Sequence, residues 1–408
     1  MENQKKIIIL LTCFFGLLPL SGISLSIVTS YYLVVLAQIL IIFLMIPFVY
    51  PFSFVTSYFY FTLLLLNCII LSTIASYFLY GNNGIEKSIY SFILLFLIFL
   101  SAPLLVESIV KVSICRLEKI LKIILLIFLI IGYFGFLLQQ KGLVEGKNLL
   151  FFSEPSHYAI ILLPVATISI LICTNYLSRF VLITLIFLLA LLVENLTMLL
   201  SSAFITFLIM SKSIKTDKIL KTILIFFIFT FIFVIMNKSY ILDRVPLFTI
   251  SKQNYSNDDL SSLVYLSGWD RAKFSLLDSY LLGQGFNRMG YVRAESYYQD
   301  VLTYLGFSNL NLYDGGTTGA KIICELGIFG IMLILMYLFY FCKLLREFIK
   351  NKINNFFDVF FTSYFLCYSF ELFIRGIGYF SPNILLFVGS IYWIFKSKFT
   401  NEHCSKHS

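Results

Sequence analysis

A carboxylate and an imidazole lie three residues apart at the start of a long apolar run. These residues, Glu154 and His157, belong to the segment 152–157, which also contains Pro155. Proline and a carboxylate are both favoured at the start of a helix, so capping alone would account for the pattern. The alternative is an acid–base pair at a water boundary. The helix dipole that stabilises a Glu154 anion would also make it a weaker base.

A second candidate for chemistry is Arg271, in a polar stretch farther along the chain. Apolar residues recur at helical spacing over 274–281, Asp270 is a candidate N-cap, and Gly283 would end the helix. Arg271 would then occupy the first turn, where the helix dipole disfavours a cation by roughly 0.3–1 kcal/mol. This placement indicates a bound anion, an ordinary ion pair with a nearby carboxylate, or a solvated surface arginine.

The elements that must position these residues are membrane helices. Of the 408 residues, 60% are hydrophobic and 12% are charged, which is far from a soluble domain. A bilayer crossing needs roughly 20 apolar residues. Runs of about this length occur at 6–24, 31–50, 54–79, 89–109, 120–138, 158–175, 219–236, 322–342, 356–374 and 382–396. With two short spans at 179–211, broken at Glu194, they predict an all-α polytopic membrane protein of about twelve helices.

One large polar segment interrupts the hydrophobic runs. The expected organisation is about nine helices in 1–236, a large loop at 237–318, about three helices in 319–398 and a tail at 399–408. Lysine and arginine concentrate in alternate short loops, which indicates cytoplasmic termini and an extracytoplasmic large loop. This bias explains the net charge of +9, so we expect no nucleic-acid partner. The eight cysteines lack metal-type spacing, and we predict no metal site.

The composition of the large loop predicts a folded structure. It is nearly neutral and rich in aromatic residues, which a disordered linker would lack. Aromatic rings can form a small core or stack on the apolar faces of sugars, and packing is the usual explanation for any single ring.

Two further charges lie near the end of a predicted span. Glu371 and Arg375 are four residues apart, which predicts an ion pair within one helix. Arg375 would face the same outer side as Arg271, so it could also join an anion site.

Three motifs together carry a resemblance to a known family. They are 153–159 at the start of a helix, Arg271 ahead of 281–286, and 325–330 after the large loop. In their order, in the position of the loop and in helix count, the chain resembles the bacterial O-antigen and capsular polysaccharide polymerases, the Wzy family. The resemblance extends over most of the chain and rests on the combination of the motifs.

The resemblance implies a membrane glycosyltransferase of the inverting GT-C-like type in the bacterial inner membrane. Such polymerases transfer a growing glycan from undecaprenyl diphosphate to the non-reducing end of a lipid-linked repeat unit, on the outer face. The implied partners are this lipid-linked oligosaccharide, membrane lipid and a chain-length regulator protein. No cofactor is implied.

The resemblance also suggests roles for individual residues. Arg271 would hold the leaving diphosphate, Glu154 is the first candidate for the base and His157 is the second. The other substrate-binding candidates are Arg244, Arg288, Arg375, Trp269 and Tyr265.

Two other functions are compatible with the pattern. An O-antigen ligase resembles this family in topology, but typically carries a histidine near the end of the large loop, and 311–316 contains none. A lipid-linked oligosaccharide flippase would have a similar number of helices. Transporters usually show repeated halves and charged residues near the midplane, and neither is evident in the sequence.

Overall fold

The fold is known from a computed structural model that describes residues 2–23, 30–50, 55–143, 148–173, 175–213, 250, 255–256, 259–292 and 296–405. Arg244 and the predicted span at 219–236 lie outside the described residues. The described part contains helices and no strand, which confirms the all-α prediction for that part. Its helices are α1 (Glu2–Leu20), α2 (Ser30–Val49), α3 (Thr56–Tyr80), α4 (Ile85–Lys111), α5 (Ile114–Gln140), α6 (Pro155–Leu171), α7 (Tyr176–Leu192), α8 (Leu196–Ser213), α9 (Leu260–Asp278), α10 (Tyr297–Tyr304), α11 (Thr318–Leu326), α12 (Ile328–Ile349), α13 (Phe356–Cys367), α14 (Ser369–Phe373) and α15 (Ile384–Ser405).

Many of these helices are suited to a membrane. Seven segments in the described part are long and apolar enough to cross one, namely α1 to α5, α12 and the combined α13–α14. The shorter apolar helices are α6, α7, α8 and the first part of α15. Large apolar side chains such as Leu40, Leu44 and Phe78 are exposed on the outside of the bundle, where lipid would cover them. The count of about twelve spans remains a prediction.

The predicted break near Glu194 is confirmed. Helix α7 ends at Leu192, α8 begins at Leu196, and Glu194 adopts a left-handed conformation with φ 50°. The Asn195 side chain accepts a hydrogen bond from Met198 N at 2.9 Å and so caps the second helix. The apolar run is therefore divided into two short helices, as the sequence predicted.

Helix α6 contains a proline that removes one backbone hydrogen bond, and a side chain from a neighbouring element replaces the missing donor. Pro164 has no N–H, so the carbonyl oxygen of Ile160 loses its helical donor. The side-chain amide of Asn383, just before α15, donates to this oxygen at 3.2 Å. The bond ties the start of α15 to the middle of α6.

The helix that carries Arg271 differs from the prediction. It begins at Leu260 instead of Asp270, so Arg271 lies in the middle of α9 and the argument from the helix dipole is wrong. Small buried residues such as Ser267 and Gly268 let α9 pack closely against other chain segments, and a Cβ on Gly268 would lie 1.9 Å from Gly315 O. The sequence prediction missed this part of the helix because small residues, Ser262, Ser267 and Gly268, interrupt the apolar spacing of its buried face.

The predicted span at 322–342 is also divided. Helix α11 ends at Leu326 and α12 begins at Ile328, with Gly327 between them at φ 59°. A Cβ on Gly327 would lie 2.1 Å from Leu281 O, so the chain crossing requires glycine here. Glu325 therefore lies in a separate short helix before the long one.

The segment after α9 is fastened to α3 and to the end of α11. Gly285 N donates to Glu325 O at 2.8 Å, and Ile328 N donates to Leu281 O at 2.8 Å. From α3, the Ser72 hydroxyl lies within hydrogen-bond distance of Leu282 O and Glu325 O, at 3.0 and 2.9 Å. These contacts place the 281–285 segment against the membrane helices.

Candidate active site

Glu154 is the N-cap residue of α6, but its carboxylate serves a tertiary contact. Its backbone is extended, with φ −135° and ψ 132°, and Pro155 begins the helix. The Oε2 atom accepts hydrogen bonds from Arg375 Nη2 at 2.5 Å and from Ser156 Oγ at 3.0 Å. Because the carboxylate binds a distant arginine, capping does not by itself explain the residue.

His157, in the first turn of α6, connects this pair to α2. Its Nδ1 atom lies 3.1 Å from the Tyr31 hydroxyl, and its Nε2 atom lies 3.8 Å from Glu154 Oε2. The Tyr31 ring meets the imidazole edge-on, with centroids 5.7 Å apart. The predicted proximity of Glu154 and His157 is therefore present, and Tyr31 is a neighbour that the sequence did not reveal.

Arg375 is not paired as the sequence predicted. The expected ion pair with Glu371 is wrong, because α14 ends at Phe373 and the chain turns away from the helix. Arg375 pairs with Glu154 instead, while Glu371 is buried with Asn383 Nδ2 3.5 Å from its Oε1 atom. A helical i, i+4 contact cannot form once the helix has ended.

The loop that carries Arg375 is fixed against the start of α11. Gly376 N donates to Gly316 O at 2.9 Å, and Thr318 Oγ1 donates to Gly378 O at 3.3 Å. A Cβ on Gly376 would lie 2.3 Å from Thr318 N. The close approach of the loop to α11 therefore depends on glycine at position 376. This approach fixes the backbone next to Arg375 and so limits the positions of its guanidinium.

A second group of charges surrounds Lys321 in α11. Its Nζ atom is 3.7 Å from Glu325 Oε1 and 3.9 Å from Asp314 Oδ1, and it donates to Tyr313 O. Burial alone would lower the pKa of Lys321, but Glu325 and Asp314 outweigh that effect and raise it. Lys321 therefore remains a cation, and it holds the residues just before α11 in place.

Glu325 is completely buried and has several partners. Its carboxylate accepts hydrogen bonds from Asn287 N at 2.6 Å and Met289 N at 3.0 Å, in addition to the contact with Lys321. A buried carboxylate is tolerated when donors and a cation surround it. Glu325 thus joins α11 to the 287–289 turn.

The electrostatic environment keeps Glu154 ionised. Burial would raise the pKa of its carboxyl group, but Arg375 and His157 outweigh this and hold the pKa at about 2. The Glu154 side chain is 36% exposed, and that of Arg375 is 13% exposed. Glu154 is therefore an anion at neutral pH and a weak base while Arg375 is its partner.

Arg271 is bound to a main-chain oxygen in this structure. Its Nη1 atom donates to Leu312 O at 2.6 Å, and the residue is only 2% exposed. Burial lowers the pKa of the guanidinium. Arg271 thus supports the turn that precedes Asp314, a contact that its sequence position did not indicate.

Arg288 is also engaged by other groups. Its guanidinium donates to Asn83 O at 2.8 Å, Ser76 Oγ at 2.6 Å and Gly81 O at 2.8 Å. The residue is completely buried and holds the connection between α3 and α4. Of the described arginines predicted to bind substrate, only Arg375 contacts Glu154.

The two predicted sugar-positioning aromatics lie on α9. Trp269 and Tyr265 have ring centroids 6.3 Å apart, and both are partly buried. The Trp269 ring packs on a small cluster that includes Ala272, Met289 and Ala320. Packing therefore accounts for Trp269, while its role with sugars remains a prediction.

An apolar groove approaches this polar region from within the helix bundle. Its volume is about 210 Å³. The lining includes Thr318 and Tyr379, and the centroid of the Tyr379 ring is 5.2 Å from Lys321 Nζ. Along α15 the lining runs from Ile384 to Phe395, a distance of roughly 16 Å at the helical rise. Further lining residues are Phe61, Leu65, Ile69, Phe99, Leu333, Tyr337, Phe365 and Phe387.

Comparisons with known proteins assign neither a family nor a function to the chain. No protein-family model matches the chain, and no curated protein matches its sequence. Among the described residues, no group of three or more His, Cys, Asp or Glu side chains is placed to hold a metal ion.

Proposed function

We propose that the chain is a membrane glycosyltransferase that joins lipid-linked oligosaccharide repeat units into a polysaccharide in the bacterial inner membrane. The observation that carries this proposal is the pairing of Arg375 with Glu154 next to the loop that borders the apolar groove. The reacting groups are a diphosphate-linked glycan and a sugar hydroxyl. The reaction takes place on the outer face, in a GT-C-like helical fold.

The apolar groove suits the lipid part of such a substrate. Its lining is almost entirely aliphatic and aromatic, and an isoprenoid chain offers only hydrocarbon to contact. The lining residue Tyr379 belongs to the loop that carries Arg375, and its ring lies beside Lys321. A lipid that occupies the groove would bring its diphosphate towards these cations.

Arginine suits the charge that develops during transfer. The oxygen of the acceptor hydroxyl attacks the anomeric carbon, the bond from that carbon to the diphosphate oxygen breaks, and the diphosphate leaves with the electron pair. The planar fork of Arg375 can bind two phosphate oxygens and stabilises them more strongly as negative charge grows. Because the leaving group is a lipid diphosphate, the reaction requires no nucleotide sugar.

The acceptor proton needs a base, and Glu154 is the first candidate. Its pKa of about 2 makes it a poor base while it is paired with Arg375. A diphosphate that binds Arg375 would compete for that cation, and loss of the cation raises the pKa of a buried carboxyl. Donor binding would therefore strengthen Glu154 as a base, with His157 beside it as the second candidate.

An O-antigen ligase uses the same donor chemistry, and its product distinguishes it from a polymerase. A ligase transfers the finished glycan to a lipid A core, whereas a polymerase extends one repeat unit with another. A lipid-linked oligosaccharide flippase, the remaining alternative, makes no new glycosidic bond. The size of the product formed from a single lipid-linked substrate therefore separates all three.

The test uses the purified full chain in lipid nanodiscs with a defined undecaprenyl-diphosphate repeat unit. Gel and mass analysis should show a ladder of products longer than one repeat. Arg375→Ala should slow ladder formation by roughly 10²–10³-fold, because it removes the fork that stabilises the leaving group. The matched control is Arg346→Ala, in the last turn of α12 and roughly 27 Å along that helix from Ile328.

Arg346→Ala should retain the ladder. A wild-type protein that forms no ladder from a lipid-linked unit that cells do polymerise would overturn the proposed function. An Arg375→Ala ladder equal to that of wild type would remove Arg375 from the reaction.

A further inference from the structure

Two exposed tyrosines form an aromatic pair beside the group of charges around Lys321. The rings of Tyr291 and Tyr313 have centroids 5.0 Å apart at an interplanar angle of 45°. Their residues are 40% and 38% exposed. The Lys87 ammonium lies 4.9 Å from each ring centroid, so one cation contacts both rings.

Glycines allow the backbone to approach both rings closely. A Cβ on Gly84 would lie 2.8 Å from Tyr291 Cγ, and a Cβ on Gly290 would lie 2.7 Å from Tyr313 Cδ1. Both glycines have positive φ, 76° and 88°. The two tyrosines are thus held against backbone on one side, while much of their surface remains open.

The chain beside Tyr313 is held by two buried cations. Arg271 donates to Leu312 O, and Lys321 donates to Tyr313 O. These are the two carbonyl groups immediately before Asp314, whose side chain is 49% exposed. The structure therefore presents an aromatic ring and an adjacent carboxylate on a rigid turn.

The arrangement matches the chemistry of a sugar. A pyranose has an apolar face of C–H groups that packs on an aromatic ring, and hydroxyl groups that donate hydrogen bonds to a carboxylate. The Asp314 carboxylate also lies against the loop that carries Arg375, since a Cβ on Gly378 would lie 2.9 Å from Asp314 Oδ1. A sugar on the tyrosines would therefore lie close to the loop whose Arg375 pairs with Glu154.

We propose that Tyr291, Tyr313 and Asp314 form a carbohydrate-binding subsite. The two rings pack against a pyranose of the acceptor repeat unit, and Asp314 accepts a hydrogen bond from one of its hydroxyls. Arg271 and Lys321 are positioning residues for this subsite. The identity of the sugar as an acceptor rests on the proposed function, whereas binding itself can be measured without turnover.

The competing explanation is that the tyrosines only attach the turn to α4 through Lys87. Lys87→Met separates the two explanations, because it removes the cation that attaches the turn and keeps both rings. This variant should still bind the sugar if the rings form a subsite. Phenylalanine keeps the ring, and leucine removes it while remaining apolar. Tyr304→Leu is a matched control, since Tyr304 is 90% exposed at the end of α10.

The experiment measures binding of the free repeat-unit oligosaccharide, released by mild acid from the lipid-linked intermediates of the native cells. Saturation-transfer NMR on the full chain in nanodiscs reports which sugar protons touch the protein. Wild type should transfer saturation to the C–H protons of one pyranose. Tyr291→Leu and Tyr313→Leu should each weaken binding by about tenfold, as expected for a lost stacking contact. Tyr291→Phe, Tyr313→Phe and Tyr304→Leu should bind as wild type does.

Asp314→Asn should weaken binding and raise the acceptor KM in the ladder assay. Wild-type affinity in both leucine variants would overturn the subsite, and so would an absence of saturation transfer to the wild-type protein. If the ladder forms with an unchanged acceptor KM in Tyr313→Leu, the subsite fails and the proposed function stands. If the oligosaccharide binds through the tyrosines but no ladder forms, the subsite stands and the polymerase proposal fails.

Discussion

Glu154 and Arg375 are 221 residues apart in the sequence, and their side chains meet at 2.5 Å. The contact joins the start of α6 to the loop between α14 and α15. From the sequence, Arg271 was the first candidate to bind the leaving diphosphate, and Arg375 was expected to pair with Glu371. The contact with Glu154 makes Arg375 the better candidate for the diphosphate. Four predictions test how the site is built.

Replacement of Arg375 by lysine tests whether the shape of the cation matters. Arg375→Lys keeps the charge but loses the planar fork, so activity should lie between wild type and Arg375→Ala. The alanine variant should lose roughly 10²–10³-fold in rate, as expected when a donor to the developing charge is removed. Initial rates of ladder formation provide the measurement. Full activity in the lysine variant would indicate simple attraction of charge.

Arg271 should contribute to stability more than to chemistry. Arg271→Met leaves Leu312 O without its buried donor, which should lower the free energy of unfolding by about 1–3 kcal/mol. Thermal unfolding in detergent measures this, with the exposed Lys273→Met on the same helix as the control. An unchanged melting temperature together with lost activity would instead support direct contact between Arg271 and the diphosphate.

The Glu154 ion pair should give stability that depends on pH in the acidic range. The pKa of Glu154 is about 2 in the folded protein, below its ordinary value of 4.5, so the stability that the ion pair contributes is fully present above about pH 4.5. That contribution should disappear as the pH falls through about 2. The difference in melting temperature between wild type and Glu154→Gln should be constant near neutral pH and shrink in acid. A difference that grows in acid would contradict the assignment.

Gly376 should be intolerant of a side chain. In Gly376→Ala, the added methyl group would lie 2.3 Å from Thr318 N and 2.6 Å from Thr318 Oγ1, so the loop must move. The movement should displace Arg375 and reduce both stability and ladder formation. Gly16→Ala in α1 is the control, because a Cβ there meets nothing within 4 Å. The control should be neutral or more stable by about 0.5–1 kcal/mol.

The helices were largely predictable because hydrophobic length is a local property of the sequence. The run at 31–50 corresponds to Ser30–Val49, and the run at 120–138 lies within Ile114–Gln140. The break at Glu194 was also evident, since a charge followed by asparagine interrupts an apolar run. The beginning of α9 was missed because serine and glycine interrupt the apolar spacing of its buried face.

The candidate site was only partly predictable because its contacts join distant segments. Glu154 and His157 could be found together, since they share one helical turn. The partners of Arg375, Arg271 and Arg288 could not, because each depends on a tertiary contact with a remote carbonyl or carboxylate. Lys321 and Glu325 are four residues apart in α11, so their contact follows from local helix geometry. The hydrogen bonds from Asn287 N and Met289 N to Glu325 could not be predicted, because they join remote segments.

The double contact of the Ser72 hydroxyl has a consequence for access to the site. A single hydroxyl on α3 lies against carbonyl oxygens of both Leu282 and Glu325, so the chain after α9 and the end of α11 share one anchor. Lifting this region away from α3 would break both interactions at once. The two contacts therefore oppose movement of this region away from α3, and we expect a motion that admits a bulky glycan to occur in another part of the protein.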